Sequence, residues 1–135
     1  VFSLGASLAG SGAGICYLWH SVDGMQRFAS YEGNGNADGQ YISLGFRPRL
    51  LFIKNSEQSS NWGVYDSARQ TFNPNENYLR WNTSGAEGGT STTFDVDFLS
   101  NGFKVRSTET DLNTSGKTFI YGAWGDIPTR YGNTF

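Results

Sequence analysis

Alternation of apolar and charged residues between positions 94 and 107 constrains this fold more than any other feature of the sequence. Residues 94–98 are Phe-Asp-Val-Asp-Phe, and residues 103–106 are Phe-Lys-Val-Arg. Side chains of a β-strand alternate between its two faces, so each segment predicts a strand with one apolar and one charged face. Asn101-Gly102 lies between them and is typical of a tight turn with positive φ angles. The sequence therefore predicts an antiparallel hairpin here.

Short apolar or alternating segments recur along the rest of the chain, separated by clusters drawn from its 18 glycines and from Asn and Ser. No long stretch of helical period interrupts them, so the residues predict one all-β domain, an antiparallel sandwich or barrel. The predicted strands are 13–19, 26–32, 41–45, 49–54, 62–65, 78–81, 94–99, 102–107 and 118–124. The predicted core comprises Phe46, Leu51, Ile53, Val64, Phe94, Phe98, Phe103, Val105, Ile120 and Trp124.

Charge and cysteine content exclude several classes of function. The single cysteine, Cys16, cannot form an intrachain disulfide, and one Cys with one His cannot supply a structural zinc site. The basic residues are dispersed and the pI is about 5.2, which argues against a nucleic-acid partner. The longest apolar run, 15–19, is too short for membrane insertion. We expect no cofactor and no metal.

Two pairs of residues suggest catalysis, and a structural interpretation is favoured for both. Asp95 and Asp97 share one strand face, as paired carboxylates of a glycosidase would, but Leu99 stands where a glucanase strand carries its third acid. A charged hairpin face opposite the two basic residues of the returning strand explains these acids more simply. Cys16 and His20 would lie roughly 13 Å apart on a strand, which is too far for a catalytic pair. A buried Cys16 is expected instead. The sequence predicts no catalytic residues.

A Gly/Asn-rich loop and a tryptophan-containing segment are the remaining candidate sites. Asn34, Asn36 and Asp38 have the spacing of the first ligands of a calcium loop, with Gly39 as the turn glycine. Position 12 would be Gly45 instead of a bidentate glutamate, so a plain turn-rich loop is favoured over a weak cation site. The possible ligand or partner surface comprises Trp62, Tyr65, Asp66 and Arg69. Its two rings would stack on a sugar while the charged pair bonds hydroxyls; alternatively, Asp66 caps a turn and Arg69 pairs with it.

Several motifs, taken in order, resemble a known family. They are YLWH at 17–20, SYEGNG at 30–35, ADG at 37–39, GFRP at 45–48, WGVYDSAR at 62–69, DFLSNGF at 97–103 and YGAW at 121–124. Together they resemble a β-sandwich domain, similar to jelly-roll, concanavalin-A-like lectin folds, that occurs in virion proteins of tailed bacteriophages. The family usually carries an upstream half similar to the downstream one. An echo of the 113–124 turn and strand at 9–19 agrees with this.

The resemblance implies a non-enzymatic structural protein of the virion, displayed on its surface in a tail fibre or similar appendage. Assembly and host-surface adhesion are the implied functions, with a capsid decoration protein or a soluble glycan-binding lectin as alternatives. The implied partners are other copies of the chain, other virion proteins and a host cell-surface glycan. The chain begins with Val1 and its only methionine is Met25. We therefore expect residues 1–135 to be a single domain of a longer polypeptide, with residues 1–20 closing a preceding half-unit.

Overall fold

Eight short strands form in the computed structural model, which describes residues 16–89 and 93–126. They are β1 (Gln26–Glu32), β2 (Tyr41–Ser43), β3 (Pro48–Asn55), β4 (Gly63–Asp66), β5 (Tyr78–Arg80), β6 (Val96–Leu99), β7 (Gly102–Val105) and β8 (Thr118–Gly125). No helix forms within these two ranges, which confirms the all-β prediction. None of the described residues belongs to a helix that could cross a membrane.

The strands form two antiparallel sheets. The five-stranded sheet has the order β1-β8-β3-β4-β5, and the three-stranded sheet has the order β2-β7-β6. Strand β8 lies between β1 and β3, since Tyr121 is opposite Ala29 of β1 on one side and Ile53 of β3 on the other. The predicted strand at 13–19 is wrong for residues 16–19, which lie outside any strand; residues 13–15 lie outside the described part.

One hydrophobic core lies between the two sheets. Phe103 of β7 meets Tyr31 and Tyr121 of the larger sheet edge-on, with ring centroids 6.2 and 5.3 Å apart. The core prediction is confirmed for Phe46, Leu51, Ile53, Phe98, Phe103 and Val105, while Phe94 packs against the core partly buried. Val64 is buried but lies outside this core cluster. These contacts make the arrangement a β-sandwich.

In strand β8, the face that points into the core is the opposite of the predicted one. Phe119, Tyr121 and Ala123 face the core. Ile120 and Trp124, at the alternate positions of the strand, therefore face outward, and Ile120 is 40% exposed. The prediction of these two residues as core is therefore wrong. A strand with apolar residues on both faces carries no alternation from which its orientation could be read.

The predicted hairpin is present, but its turn is built differently. Leu99 pairs with Gly102, so Ser100 and Asn101 form the loop and Gly102 begins β7. Neither Asn101 nor Gly102 has a positive φ angle, so that part of the prediction is wrong. Gly102 is required for another reason: a Cβ there would lie 2.1 Å from the carbonyl oxygen of Ile42 on the neighbouring strand.

Candidate functional site

Aromatic rings cover the face of the five-stranded sheet that points away from the core. Phe28 of β1, Phe52 of β3 and Trp124 of β8 lie on this outer face, with ring centroids 5.2–6.5 Å apart. Gly122 lies beneath them, and a Cβ there would come within 2.5 Å of the Phe52 ring. The absence of a side chain at Gly122 therefore allows the phenyl rings to pack closely over the centre of the sheet.

Segments flanking the strands add four more rings to this outer face. Trp62 precedes β4 and Trp81 follows β5, and their ring centroids lie 5.5 and 5.4 Å from that of Phe52. Trp19 stacks on Phe28 at 5.8 Å, and Tyr17 stacks on Trp19 at 5.9 Å. The rings thus form one continuous surface from the edge strand β1 to the edge strand β5.

An open cleft of about 600 Å³ lies between these two groups of rings, and we call it the aromatic cleft. It is lined by Cys16, Tyr17, Trp19, Phe52, Trp62, Trp81 and Asn82. Three of its rings are largely open to solvent: Tyr17 is 70% exposed, Trp19 54% and Trp81 55%. None of the described residues that line the cleft carries a charged side chain.

Hydrogen bonds fix the backbone on the β4–β5 side of the cleft. The side-chain oxygen of Asn82 accepts from the Trp62 backbone N–H at 3.1 Å, and its amide donates to Asn61. Asn61 in turn donates twice to the carboxylate of Asp111, which is buried and also pairs with Arg80 at 3.6 Å. This network links the residues beside Trp62 and Trp81 to the body of the domain.

The opposite side of the cleft is anchored to β1. The Ser21 hydroxyl accepts from the Phe28 backbone N–H at 3.1 Å, and the Gln26 side chain donates to the His20 carbonyl at 2.7 Å. These bonds hold the segment that carries Trp19 against the edge strand. Cys16 is exposed and lines the cleft, so the expectation of a buried cysteine is wrong.

The four residues predicted to form one surface do not lie together in the structure. They are Trp62, Tyr65, Asp66 and Arg69. Only Trp62 lies in the aromatic cleft. Tyr65 is fully buried and donates to the Phe94 carbonyl, so its placement on a ligand surface is corrected. Asp66 accepts from the Ala68 backbone N–H, as the turn-cap alternative predicted, but Arg69 pairs with Glu87 instead of Asp66.

Tyr17, Trp19, Phe52 and Trp81 of the cleft were missed by the sequence prediction. The alternation of side chains along an extended segment was a usable signal. Positions 62 and 65 are an odd number of residues apart, so their side chains face opposite sides. This alternation therefore separates Trp62 from the buried Tyr65. No such local signal connects Trp62 with Trp19 or Trp81, which the order of the strands brings together.

The polar side chains of the Asn34–Asp38 loop already have hydrogen-bond or ion-pair partners within the protein. The side-chain oxygen of Asn34 accepts from the Asn36 N–H, and that of Asn36 accepts from the Asp38 N–H, both at 2.9 Å. Asp38 pairs with Lys104 at 2.6 Å, and this contact lowers the pKa of its carboxyl. Gly35 adopts the positive φ angle, whereas Gly39 does not. No group of three or more His, Cys, Asp or Glu side chains in the described ranges could hold a metal ion.

The two hairpin carboxylates have different environments. Asp97 lies 3.7 Å from Arg106, and Lys104 reaches Asp38 instead of the hairpin acids. Asp95 is buried, and its Oδ1 atom has no hydrogen-bond partner among the described residues. Burial raises the pKa of the Asp95 carboxyl, with smaller contributions from Glu76 and Asp97, while Arg106 lowers it.

We expect Asp95→Asn to raise the melting temperature at pH 7. Because the pKa of Asp95 is raised on folding, its carboxyl binds more protons in the folded than in the unfolded state between the unfolded pKa of about 3.9 and the raised folded pKa. The contribution of Asp95 to the stability of the wild type should therefore fall as the pH rises through the raised pKa, and the Asp95→Asn variant, which does not ionise there, should not show this loss. Thermal unfolding between pH 4 and 8 should show a gain that shrinks towards pH 4. Asp97→Asn, which breaks an ion pair, should show no such gain; an unchanged melting temperature for Asp95→Asn at pH 7 would contradict the prediction.

These features define a class of protein: a two-sheet, all-β domain with an uncharged aromatic cleft on its outer face. Residues 1–128 match the family described as "Domain of unknown function (DUF7483)", and the chain belongs to that family. No curated protein and no solved structure gives a significant match.

Proposed function

We propose that the chain is a non-enzymatic structural protein of a bacteriophage virion, displayed on the surface of a tail fibre or similar appendage and acting in assembly and host-surface adhesion. The observation that carries the contact function is the aromatic outer face, with the large exposed rings of Tyr17, Trp19 and Trp81. Soluble monomers rarely expose large continuous apolar patches without a binding role. The virion setting is supported by the ordered sequence motifs.

The proposal extends to the topology of the sandwich, which we assign to the jelly-roll, concanavalin-A-like kind. Two antiparallel sheets of five and three strands around one core support this assignment. An experimental structure of the domain tests it. A sheet order incompatible with a jelly roll would contradict the assignment.

The environment of the hairpin acids supports a non-enzymatic role. A retaining glycosidase needs one carboxylate to attack and a second to transfer protons, about 5–5.5 Å apart. Here Asp97 is ion-paired to Arg106, and Asp95 is buried. Neither carboxylate is among the residues that line the aromatic cleft.

We therefore expect no hydrolysis when the purified domain is incubated with bacterial or plant polysaccharides, as measured by release of reducing ends. Asp97→Asn is the matched variant, because it removes one carboxylate with little change in size. Turnover by the wild type that disappears in a correctly folded Asp97→Asn protein would contradict this prediction.

The virion setting is tested on intact particles. Particles of the phage whose genome encodes this chain are purified, analysed by peptide mass spectrometry, and imaged after labelling with antibodies against the domain. We expect the chain in the particle, with label on the tail appendages and several copies close together. Label over the capsid would favour a decoration protein, and absence from purified particles would favour a soluble lectin; either result would overturn the tail-appendage proposal.

A further inference from the structure

We propose that the aromatic cleft binds a neutral saccharide, with sugar rings stacked on Trp19, Trp62 and Trp81. This inference rests on the proposed role in host-surface adhesion and assigns the ligand class and the site. The first argument is size. A volume of about 600 Å³ falls within the range of ligand sites, about 300–1,000 Å³.

The cleft also continues along the sheet. A second cavity of about 370 Å³ shares Tyr17, Trp19, Phe52 and Trp62 with it and extends to Phe28 and Ile120. Because they share four lining residues, the two adjoin as one open groove on the outer face, and not as a closed pocket for one small molecule. A linear ligand built of repeated rings suits such a groove.

The chemistry of the lining matches a sugar ring. A pyranose has a flat face of C–H groups and a rim of hydroxyls, so it needs apolar faces together with neutral hydrogen-bonding groups. The tryptophans supply both, since each has an apolar body and an N–H donor. In the described part of the chain, the indole N–H groups of Trp19, Trp62 and Trp81 donate no hydrogen bond. These donors remain available to hydroxyl oxygens of a ligand.

Charge selects a neutral ligand over an acidic one. The described lining contains no arginine or lysine to bind a carboxylate or phosphate. Lys54 lies two residues after Phe52 in β3, but its ammonium group donates to the Gln58 carbonyl and the Ser60 hydroxyl. Sugars that carry uronic acid, sialic acid or phosphate groups would lose their hydration without gaining an ionic partner.

Shape argues against a second copy of the chain as the occupant. A two-fold contact places the same patch of both molecules together. Two clefts would then face each other and leave both volumes unfilled, whereas stable interfaces are closely packed at their centre. A saccharide fills the concave space directly. The hydrogen-bonded anchors at Asn82 and Ser21 reduce the ordering required when it binds.

Binding to an array of neutral oligosaccharides made of hexoses and N-acetylhexosamines tests the inference. Acidic oligosaccharides are printed beside them, and hits are confirmed with the full 135-residue chain by tryptophan fluorescence and calorimetry. Trp81→Ala and Trp19→Ala should each weaken a neutral hit by at least about tenfold. Phe72→Ala is the matched control, because Phe72 is 68% exposed and lies outside the cleft. It should bind like the wild type.

Alkylation of Cys16 provides a second, independent measurement. The thiol lines the cleft, so a bulky maleimide on it should block the same neutral hits in the wild-type protein without any substitution. Circular dichroism of every sample verifies that the fold is intact. Loss of binding on alkylation, together with loss in the two tryptophan variants, is the expected result.

The inference would be overturned if no neutral oligosaccharide binds, if the hits bind equally well to folded Trp81→Ala protein, or if acidic sugars bind instead. Sedimentation that shows dimers of the wild type but not of Trp81→Ala would assign the cleft to a second copy, and would also overturn it. Label on virions without sugar binding would refute the saccharide site alone. Sugar binding by a chain absent from virions would refute the proposed function alone.

Discussion

Replacing Phe103 with alanine is expected to lower the free energy of unfolding by about 3–5 kcal/mol. Phe103 is fully buried at the centre of the three-stranded sheet, between Ile42 of β2 and Phe98 of β6. Its ring also meets Tyr31 and Tyr121 of the opposite sheet edge-on. Truncation therefore leaves a cavity where the two sheets meet and removes two aromatic contacts, each contributing about 0.5–1.5 kcal/mol beyond burial.

Urea unfolding followed by circular dichroism measures this loss. The midpoint should fall while the dependence on urea concentration stays the same, because the folded state remains compact. Phe72→Ala is again the matched control: the same atoms are removed from an exposed ring, and the change should stay within about 0.5 kcal/mol. If Phe103→Ala does not fold, Phe103→Leu should still show a loss of about 1–2 kcal/mol. A loss below about 1 kcal/mol for the alanine variant would contradict this packing of Phe103 between the sheets.

The fold could be predicted where apolar and polar residues alternate. The hairpin of β6 and β7 was found because aspartates and basic residues separate its core residues. Strand β8 lacks that contrast, so Ile120 and Trp124 were assigned to the core although Phe119 and Tyr121 occupy it. Segment 16–19 has the apolar composition of a strand but lies over the outer face instead, where Trp19 stacks on Phe28.

The candidate site was harder to predict because it depends on strand order. Phe52 comes from β3, Trp62 and Trp81 flank β4 and β5, and Trp19 precedes the distant edge strand β1. These residues meet only because β8 pairs between β1 and β3, which no short segment of sequence specifies. The reason for each glycine was equally hard to predict from the local sequence. Gly102 was assigned a positive φ angle and Gly39 a place in a turn, but both are required because another chain segment passes too close for a Cβ.

Asn113 is expected to be the most important polar side chain for stability. It is completely buried, and its amide nitrogen lies within 2.9 Å of the Asn34 side-chain oxygen and within 2.8 Å of the Asn36 and Ser107 carbonyls. Its side-chain oxygen accepts from the Asn34 backbone N–H at 2.9 Å. One side chain thus ties the 34–38 loop to the segment that leads into β8.

Asn113→Ala should therefore lower the free energy of unfolding by about 2–5 kcal/mol, because several polar groups lose their partner and each one left buried and unpaired costs about 1–3 kcal/mol. Asn101→Ala is the matched control, since Asn101 is exposed and its side chain makes no hydrogen bond among the described residues. Hydrogen exchange identifies the cause: protection of the Gly35 N–H, which donates to the Asn113 carbonyl, should fall more than that of the β3 amides. Asn113→Asp keeps the acceptor but loses both amide donors, so at pH 7 it should also be destabilised. Wild-type stability in both Asn113 variants would show that the loop is held by its own turns alone.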